Sequence, residues 1–281
     1  MYRDAYSGVE PALRSDQAVF PTQHRRDSTD GPRTTVVVPT KDEALNVGWV
    51  LKRIPAFVDE IILVDGDSTD GTVEAALAVR PDIRVIGQER PGKGAALRAG
   101  FAAATGDYVV MLDADGSMNP AEIQLFVAVL DAGADMVKGS RFLPSAGTAD
   151  MSGVRRAGNG ALLALVNALY GSRFTDLCYG FCAFRRSALD RLALVSDGFE
   201  VETEMVVRAL RTRIAVVEVP SFESPRRFGR SHLSAWRDGR RVLWTLLRQR
   251  FQPVGVPVTT VVDAPVEPTG AIEVAVDPRV A

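Results

Sequence analysis

The 281-residue chain is 46% apolar and 24% charged, and its net charge is −2. That composition supplies one full hydrophobic core with room for an appendage, and it excludes a disordered regulator and a globally cationic nucleic-acid binder. Two cysteines and two histidines give neither a zinc framework nor a disulfide scaffold, no run reaches the roughly 18 apolar residues of a membrane span, and the polar N-terminus lacks a signal peptide's apolar stretch, so a cytoplasmic enzyme is expected.

Residues 1–33 are polar, with arginine and aspartate mixed, and are expected to form a loose arm. Thr34–Val38 is a β-branched run ended by Pro39, and the spacing of Leu45, Trp49, Leu51 and Ile54 predicts a helix over 44–54. Glu60–Val64 reads as the next strand. Ser68 or Asp70 is placed to cap a helix reaching Val79. Arg84–Gly87 is a short third strand, 95–104 a third helix, and Asp107–Leu112 a strongly apolar strand. Asn119 followed by Pro120 signals the start of a helix through Leu130, and Asp135–Lys138 closes the alternation. This βαβαβαβαβ order predicts an α/β fold, Rossmann-like, with a mostly parallel sheet covered by helices on both faces.

The second half expects a long helix over 155–170, a strand at 181–184, a helix at 202–210, a strand at 214–219, an arginine-rich loop at 221–232 and a last helix at 233–247. Beyond Gln252 the chain is proline-punctuated without a helical period, so 251–281 reads as a tail and 34–250 as the folded body. Between Met205 and Arg250 eleven arginines face only Glu218, Glu223 and Asp238, a local charge of +8. Such a segment attracts a phosphate-bearing ligand or an anionic surface.

Ligands of a parallel sheet gather beyond the C-terminal strand ends. Just past the five expected strands stand Pro39–Glu43, Asp65–Gly71, Arg90–Gly94, Asp113–Asp115 and Gly139–Phe142. Asp113 and Asp115 follow an apolar strand directly and can both approach one hard cation, Mg²⁺ or Mn²⁺. Lys93 between two glycines can meet a diphosphate. No Walker loop, G-x-G-x-x-G or G-x-S-x-G motif is present, which argues against a P-loop enzyme, a dinucleotide oxidoreductase and an α/β-hydrolase. Cys178 and Cys182 read as buried free thiols.

These segments together resemble the GT-A-fold glycosyltransferases of family 2, and within them the polyprenyl- or dolichyl-phosphate sugar synthases. Pro39-Thr40-Lys41-Asp42-Glu43 is similar to P-T-x-N-E, with Asp42 where asparagine is usual. Residues 65–72 resemble D-D-G-S-x-D-G-T, with Gly66 and Asp67 in swapped order. Asp113-Ala114-Asp115 resembles the metal-binding D-x-D, and Gly139-Ser140-Arg141-Phe142 the G-S-R-[YF] of the lipid-phosphate enzymes. Asp176, Gly180, Phe181 and Arg186 fall in a D-x-x-x-G-F-x-x-F-x-R pattern, with Cys182 where a cation is frequent. Glu202–Met205 resembles the segment that carries a glutamate near the sugar, and Arg227–Leu233 the R-x-x-G-x-S-x-L loop that closes over the phosphates.

The resemblance implies an inverting transfer from a UDP- or GDP-linked sugar to a polyprenyl phosphate, or alternatively to a hydroxyl acceptor. A nucleotidyltransferase and a non-catalytic nucleotide-sugar-binding protein are the readings from other classes. Pro39, Thr40, Glu43, Asp65, Asp67 and Lys93 would hold the donor, Asp113 and Asp115 the metal, and Arg230 and Ser231 the closing phosphate contacts. Arg141 and Arg227 would position an acceptor phosphate, whereas Glu204, or Glu202, would serve as base for a hydroxyl. The basic segment would rest on the cytoplasmic face of an anionic membrane.

Overall fold

The computed structural model describes residues 31–149, 151–229 and 235–251. The expected arm and tail therefore lie outside the described residues, except for 31–33 and 251. In chain order the elements are β1 (Thr34–Thr40), α1 (Ala44–Leu51), β2 (Glu60–Asp65), α2 (Thr72–Val79), β3 (Arg84–Gly87), α3 (Lys93–Ala103), β4 (Tyr108–Met111), α4 (Ile123–Asp131) and β5 (Met136–Ser140). There follow β6 (Gly147–Thr148), α5 (Gly153–Tyr170), β7 (Cys182–Arg185), α6 (Arg186–Leu192), α7 (Val201–Thr212), β8 (Val216–Pro220), β9 (Phe222–Glu223) and α8 (Ala235–Phe251). Every expected strand and helix of the body appears.

The N-cap of α2 is neither Ser68 nor Asp70 but Gly71, left-handed at φ 87° and without a side-chain cap bond. Asp70, one residue earlier, accepts from the Thr72 amide through Oδ1 at 3.1 Å, while Ser68 Oγ accepts from the Asp42 amide. Asn119 Oδ1 accepts from the Ala121 amide at 3.1 Å. It opens one 3₁₀ turn, Pro120–Glu122, before α4 begins. The sequence expectation omitted α6, which starts directly where β7 ends.

Seven strands form one sheet in the order β3-β2-β1-β4-β7-β5-β8. All neighbours run parallel except β7, which is antiparallel to both β4 and β5. Strand alternation sorts the core into two layers. Val36, Val38, Ile61, Leu63 and Val110 face α1 and α4, meeting Val47, Leu51, Ile123 and Phe126. Val37, Ile62, Val64, Val109 and Met111 face α3, α6 and α7, meeting Leu97, Phe101, Leu189 and Met205. A smaller cluster joins α5, α7 and α8 through Val166, Val206, Val207, Val242 and Leu246. Among the described residues no helix is long and apolar enough to cross a membrane.

The inserted antiparallel strand decides where chemistry collects. Because β7 runs backwards, Cys182 at its start pairs with Met111 at the end of β4 and with Lys138 near the end of β5. The segment 176–181 just before it is thereby delivered to the same sheet edge as Asp113–Asp115 and Arg141.

Candidate active site

At that edge lies a cleft of about 350 Å³, lined by the loops after β1, β2 and β4, the start of α3, the segment before β7 and the start of α7. Pro39, Thr40 and Glu43 line it, with Gly66 and Gln88 beside them. Asn46 Nδ2 donates to Glu43 Oε2 at 2.7 Å, and Arg226 donates to Oε1. Burial pushes the Glu43 carboxyl above its ordinary range, against the pull of Asn46 and Arg226. Asp65 spends Oδ2 on the Ser68 amide at 3.1 Å, whereas its Oδ1 is buried with no partner, and the residue lies behind Thr40 and Gly66 rather than in the cleft lining. Asp67 is different. Its backbone is left-handed at φ 59°, its side chain is exposed, and Gly66 takes the place against the Thr40 carbonyl. The swapped order of Gly66 and Asp67 thus turns the Asp67 carboxylate outward, and it does not line the cleft.

The cleft floor is a charge cluster. Lys93, the first residue of α3, puts Nζ 2.7 Å from Asp113 Oδ1 and 2.8 Å from Glu202 Oε1. Burial works against the Lys93 ammonium, and Asp113 and Glu202 overcome it, so it is held above its ordinary value. Burial pushes the Asp113 carboxyl up to about 6; Lys93 opposes the rise, while Asp115 and Glu202 add to it by like-charge repulsion. The site therefore carries more negative charge than its lysine neutralises. Gly180 makes this approach possible: a Cβ there would sit 2.7 Å from Glu202 Oε1 and 2.8 Å from Lys93 Nζ. Gly92, at φ 119°, lets the start of α3 press against the Asp197 carbonyl.

Asp115 accepts from the Ser117 amide at 2.9 Å and pairs with Arg226 Nη1 at 3.3 Å. Among the described residues no group of three or more aspartate, glutamate, histidine or cysteine side chains gathers as a ready-made metal cage. What Asp113 and Asp115 offer is a pair of hard oxygen donors on an over-negative floor. That donor set fits Mg²⁺ or Mn²⁺ whose other positions are filled by diphosphate oxygens and water.

Besides Asp65 and Asp67, three more expected site residues stand outside the cleft lining. The Arg141 side chain is 1% exposed: its Nε and Nη2 grip Asp176 at 2.7 and 2.9 Å, and its Nη1 lies 3.0 Å from Glu223. Every face of that guanidinium is engaged beneath the cleft. Glu204 is fully buried, accepts from the Val195 and Ser196 amides and Gln249 Nε2, and forms an ion pair with Arg208. It braces the 195–196 turn and α8, and Glu202, two residues earlier, is the glutamate that enters the cleft. Arg227 lies over the Trp49 ring, 4.6 Å from its centroid, outside the cleft lining. Its neighbour Arg226 enters instead and bridges Glu43 and Asp115. The motif spacing held the signal, since R-x-x-G-x-S-x-L is satisfied from Arg226 through Gly229, Ser231 and Leu233. Arg230 and Ser231 lie outside the described residues.

Cys182 is buried and Cys178 half-buried, and both are free. Burial pushes both thiols up to about 12, so both are neutral; Cys178 lines the cleft and Cys182 does not.

The model of glycosyl transferase family 2 matches residues 35–193, from β1 to one residue past α6. The chain belongs to that family. It is accordingly a glycosyltransferase, and its sheet and flanking helices form the GT-A arrangement. This glycosyltransferase is 33% identical over 218 residues to Glycosyltransferase AglJ of Haloferax volcanii, covering 76% of this chain and 71% of the relative. It is 31% identical over 250 residues to Polyprenol monophosphomannose synthase of Mycolicibacterium smegmatis, covering 83% and 87%. Among solved structures, glucosyl-3-phosphoglycerate synthase from Mycobacterium tuberculosis, in complex with Mn²⁺, UDP-glucose and phosphoglyceric acid, aligns with a TM-score of 0.63 at 27% identity, covering 79% and 81%.

Proposed function

We propose that the chain moves a sugar from a UDP- or GDP-linked donor to a hydroxyl group of its acceptor, with a divalent ion, Mg²⁺ or Mn²⁺, held by Asp113 and Asp115. The observation that carries this reading is where two groups stand: Glu202 lines the cleft, whereas Arg141, the expected acceptor-phosphate cation, is consumed by Asp176 and Glu223. An acceptor phosphate is already anionic and calls for an unengaged cation. A hydroxyl calls for a carboxylate that takes its proton as the bond forms. The solved relative complexed with Mn²⁺, UDP-glucose and phosphoglyceric acid supports the donor class, the metal and an acceptor of small-molecule kind.

Each group then has a task. Thr40 receives the nucleotide base, with Asp65 beside it across the β1–β2 pair, while Lys93 and Arg226 balance diphosphate charge. When bound, the ion supplies Lewis-acid stabilisation of the charge that grows on the leaving diphosphate. The acceptor oxygen bonds to the anomeric carbon as the bond to the diphosphate breaks, with inversion, and the hydroxyl proton passes to Glu202.

A second reading keeps a polyprenyl phosphate as acceptor, favoured by the identity to Polyprenol monophosphomannose synthase. The two are separated by Glu202→Gln. Transfer to a hydroxyl acceptor should fall at least about 10²-fold, with UDP affinity within about twofold of wild type. Transfer confined to polyprenyl phosphate and indifferent to the substitution would overturn the hydroxyl reading.

Metal binding should also follow pH. Only the ionised Asp113 is a good ligand, and its carboxyl titrates near 6. Mn²⁺ affinity should be at its plateau above that value and weaken by about tenfold for each pH unit below it. Calorimetric Mn²⁺ titrations between pH 5 and 7.5 (roughly one unit below to well above the midpoint) check this, and a flat profile would refute it.

A further inference from the structure

The helix α8 has two apolar faces and only one is covered. Its inner face, Val242 and Leu246, is buried against Val206, Val207 and Val166. Gln249 Nε2 pins that face by a 3.0 Å bond to Glu204 Oε1. With the rotation of the helix so fixed, Leu243 is 41%, Trp244 67% and Leu247 41% exposed. These three residues share one stripe with Arg240 and Arg248 at helical spacing, and both arginines are exposed. Single exposed apolar residues need no explanation, but a tryptophan and two leucines side by side do. Across Ala235–Phe251 five arginines stand against Asp238 alone, a net of +4.

We propose that this face of α8 docks on an anionic lipid surface. Leu243, Trp244 and Leu247 would enter the headgroup boundary and the flanking arginines, Arg240 foremost, would meet lipid phosphates. The arrangement has the chemistry that an in-plane helix needs: a narrow apolar stripe with an aromatic residue, edged by cations. A second copy of the chain fits less well. A two-fold contact through this face would set the arginines of one copy against those of the other. The proposal is independent of which acceptor the cleft uses, because none of these residues lines the cleft.

The experiment is co-sedimentation of the full chain with vesicles of phosphatidylcholine alone and with phosphatidylglycerol added. Transfer to a water-soluble acceptor is followed in parallel. Binding should require phosphatidylglycerol, weaken as salt rises, and fall about tenfold in Arg240→Glu. It should be lost in a Leu243→Ser, Trp244→Ser, Leu247→Ser variant whose transfer rate stays at the wild-type level. Trp244→Ser alone should weaken binding severalfold, which keeps the test decisive should the triple variant fold poorly. Tryptophan quenching by brominated lipid should drop in Trp244→Phe. Equal binding to neutral vesicles, binding unchanged by these substitutions, or no binding at low salt would each overturn the proposal. A dimer in solution that the triple variant dissolves would assign the face to a second copy instead.

Discussion

Asp115→Ala should lower sugar transfer by roughly 10³-fold while the protein stays folded. The carboxylate sits at the cleft with its side chain 21% exposed, paired with Arg226 at 3.3 Å. Removing a partly solvated ion pair costs under about 1 kcal/mol, too little to unfold a domain of this size. The catalytic loss has a different origin. In the proposed function Asp115 is one of two oxygen donors for the divalent ion, and without it the charge developing on the leaving diphosphate would lose its main counterweight. The loss should appear in kcat as well as KM, and excess Mn²⁺ should restore only part of it. Wild-type rates in the variant under limiting metal would remove Asp115 from the metal site. Arg226 supplies a control: its substitution by glutamine frees Asp115 and Glu43 from their cation, so Mn²⁺ affinity without nucleotide should rise rather than fall.

Much of this architecture is legible in the residues, and the reasons are local. Thr34–Val38 and Asp107–Leu112 read as strands because of their β-branched and apolar runs, as a strand buried on both faces needs. Ser68 or Asp70, and Asn119, read as helix starts because a short acceptor side chain can satisfy an orphan amide. The D-x-D pair stands out because it follows such a strand without an intervening residue.

What stayed hidden depends on contacts distant in sequence. Nothing in Cys182–Arg185 says that it inserts backwards between β4 and β5. The short α6 follows β7 without a turn signal, and β6 and β9 are two residues each. Glu202 and Glu204 lie about 200° apart on a helix, so only one can face the cleft. The choice between them is made by Gln249 and the 195–196 amides, which the local pattern does not display. Two adjacent arginines, Arg226 and Arg227, differ in the same way: one finds Glu43 and Asp115, the other the Trp49 ring.

Arg141 shows most sharply how a cation expected to meet an acceptor phosphate can be committed to buried carboxylates instead. Asp176→Asn should destabilise the protein by about 3–5 kcal/mol, since it strands a guanidinium whose side chain is 1% exposed next to a neutral amide. For a domain of this length the melting temperature should drop on the order of 10 °C. The pair also sets an acid limb. Burial alone would raise the Asp176 carboxyl, but the Arg141 hydrogen bonds and charge, with Lys138 nearby, hold it below its ordinary 3.8. A carboxyl depressed by folding contributes its full stability above that ordinary value and loses it as pH falls toward the folded one. Wild-type stability should therefore decline with acid in a window that Asp176→Asn flattens. A double replacement, Arg141→Met with Asp176→Leu, should recover part of the loss, because the desolvation of both charges disappears with them. Were Arg141 instead an acceptor-phosphate ligand, Arg141→Met would raise acceptor KM and leave the melting temperature where it was. Thermal melts across pH beside acceptor kinetics distinguish the two, and a fall in melting temperature shared by Arg141→Met and Asp176→Asn places the arginine beneath the cleft rather than in it.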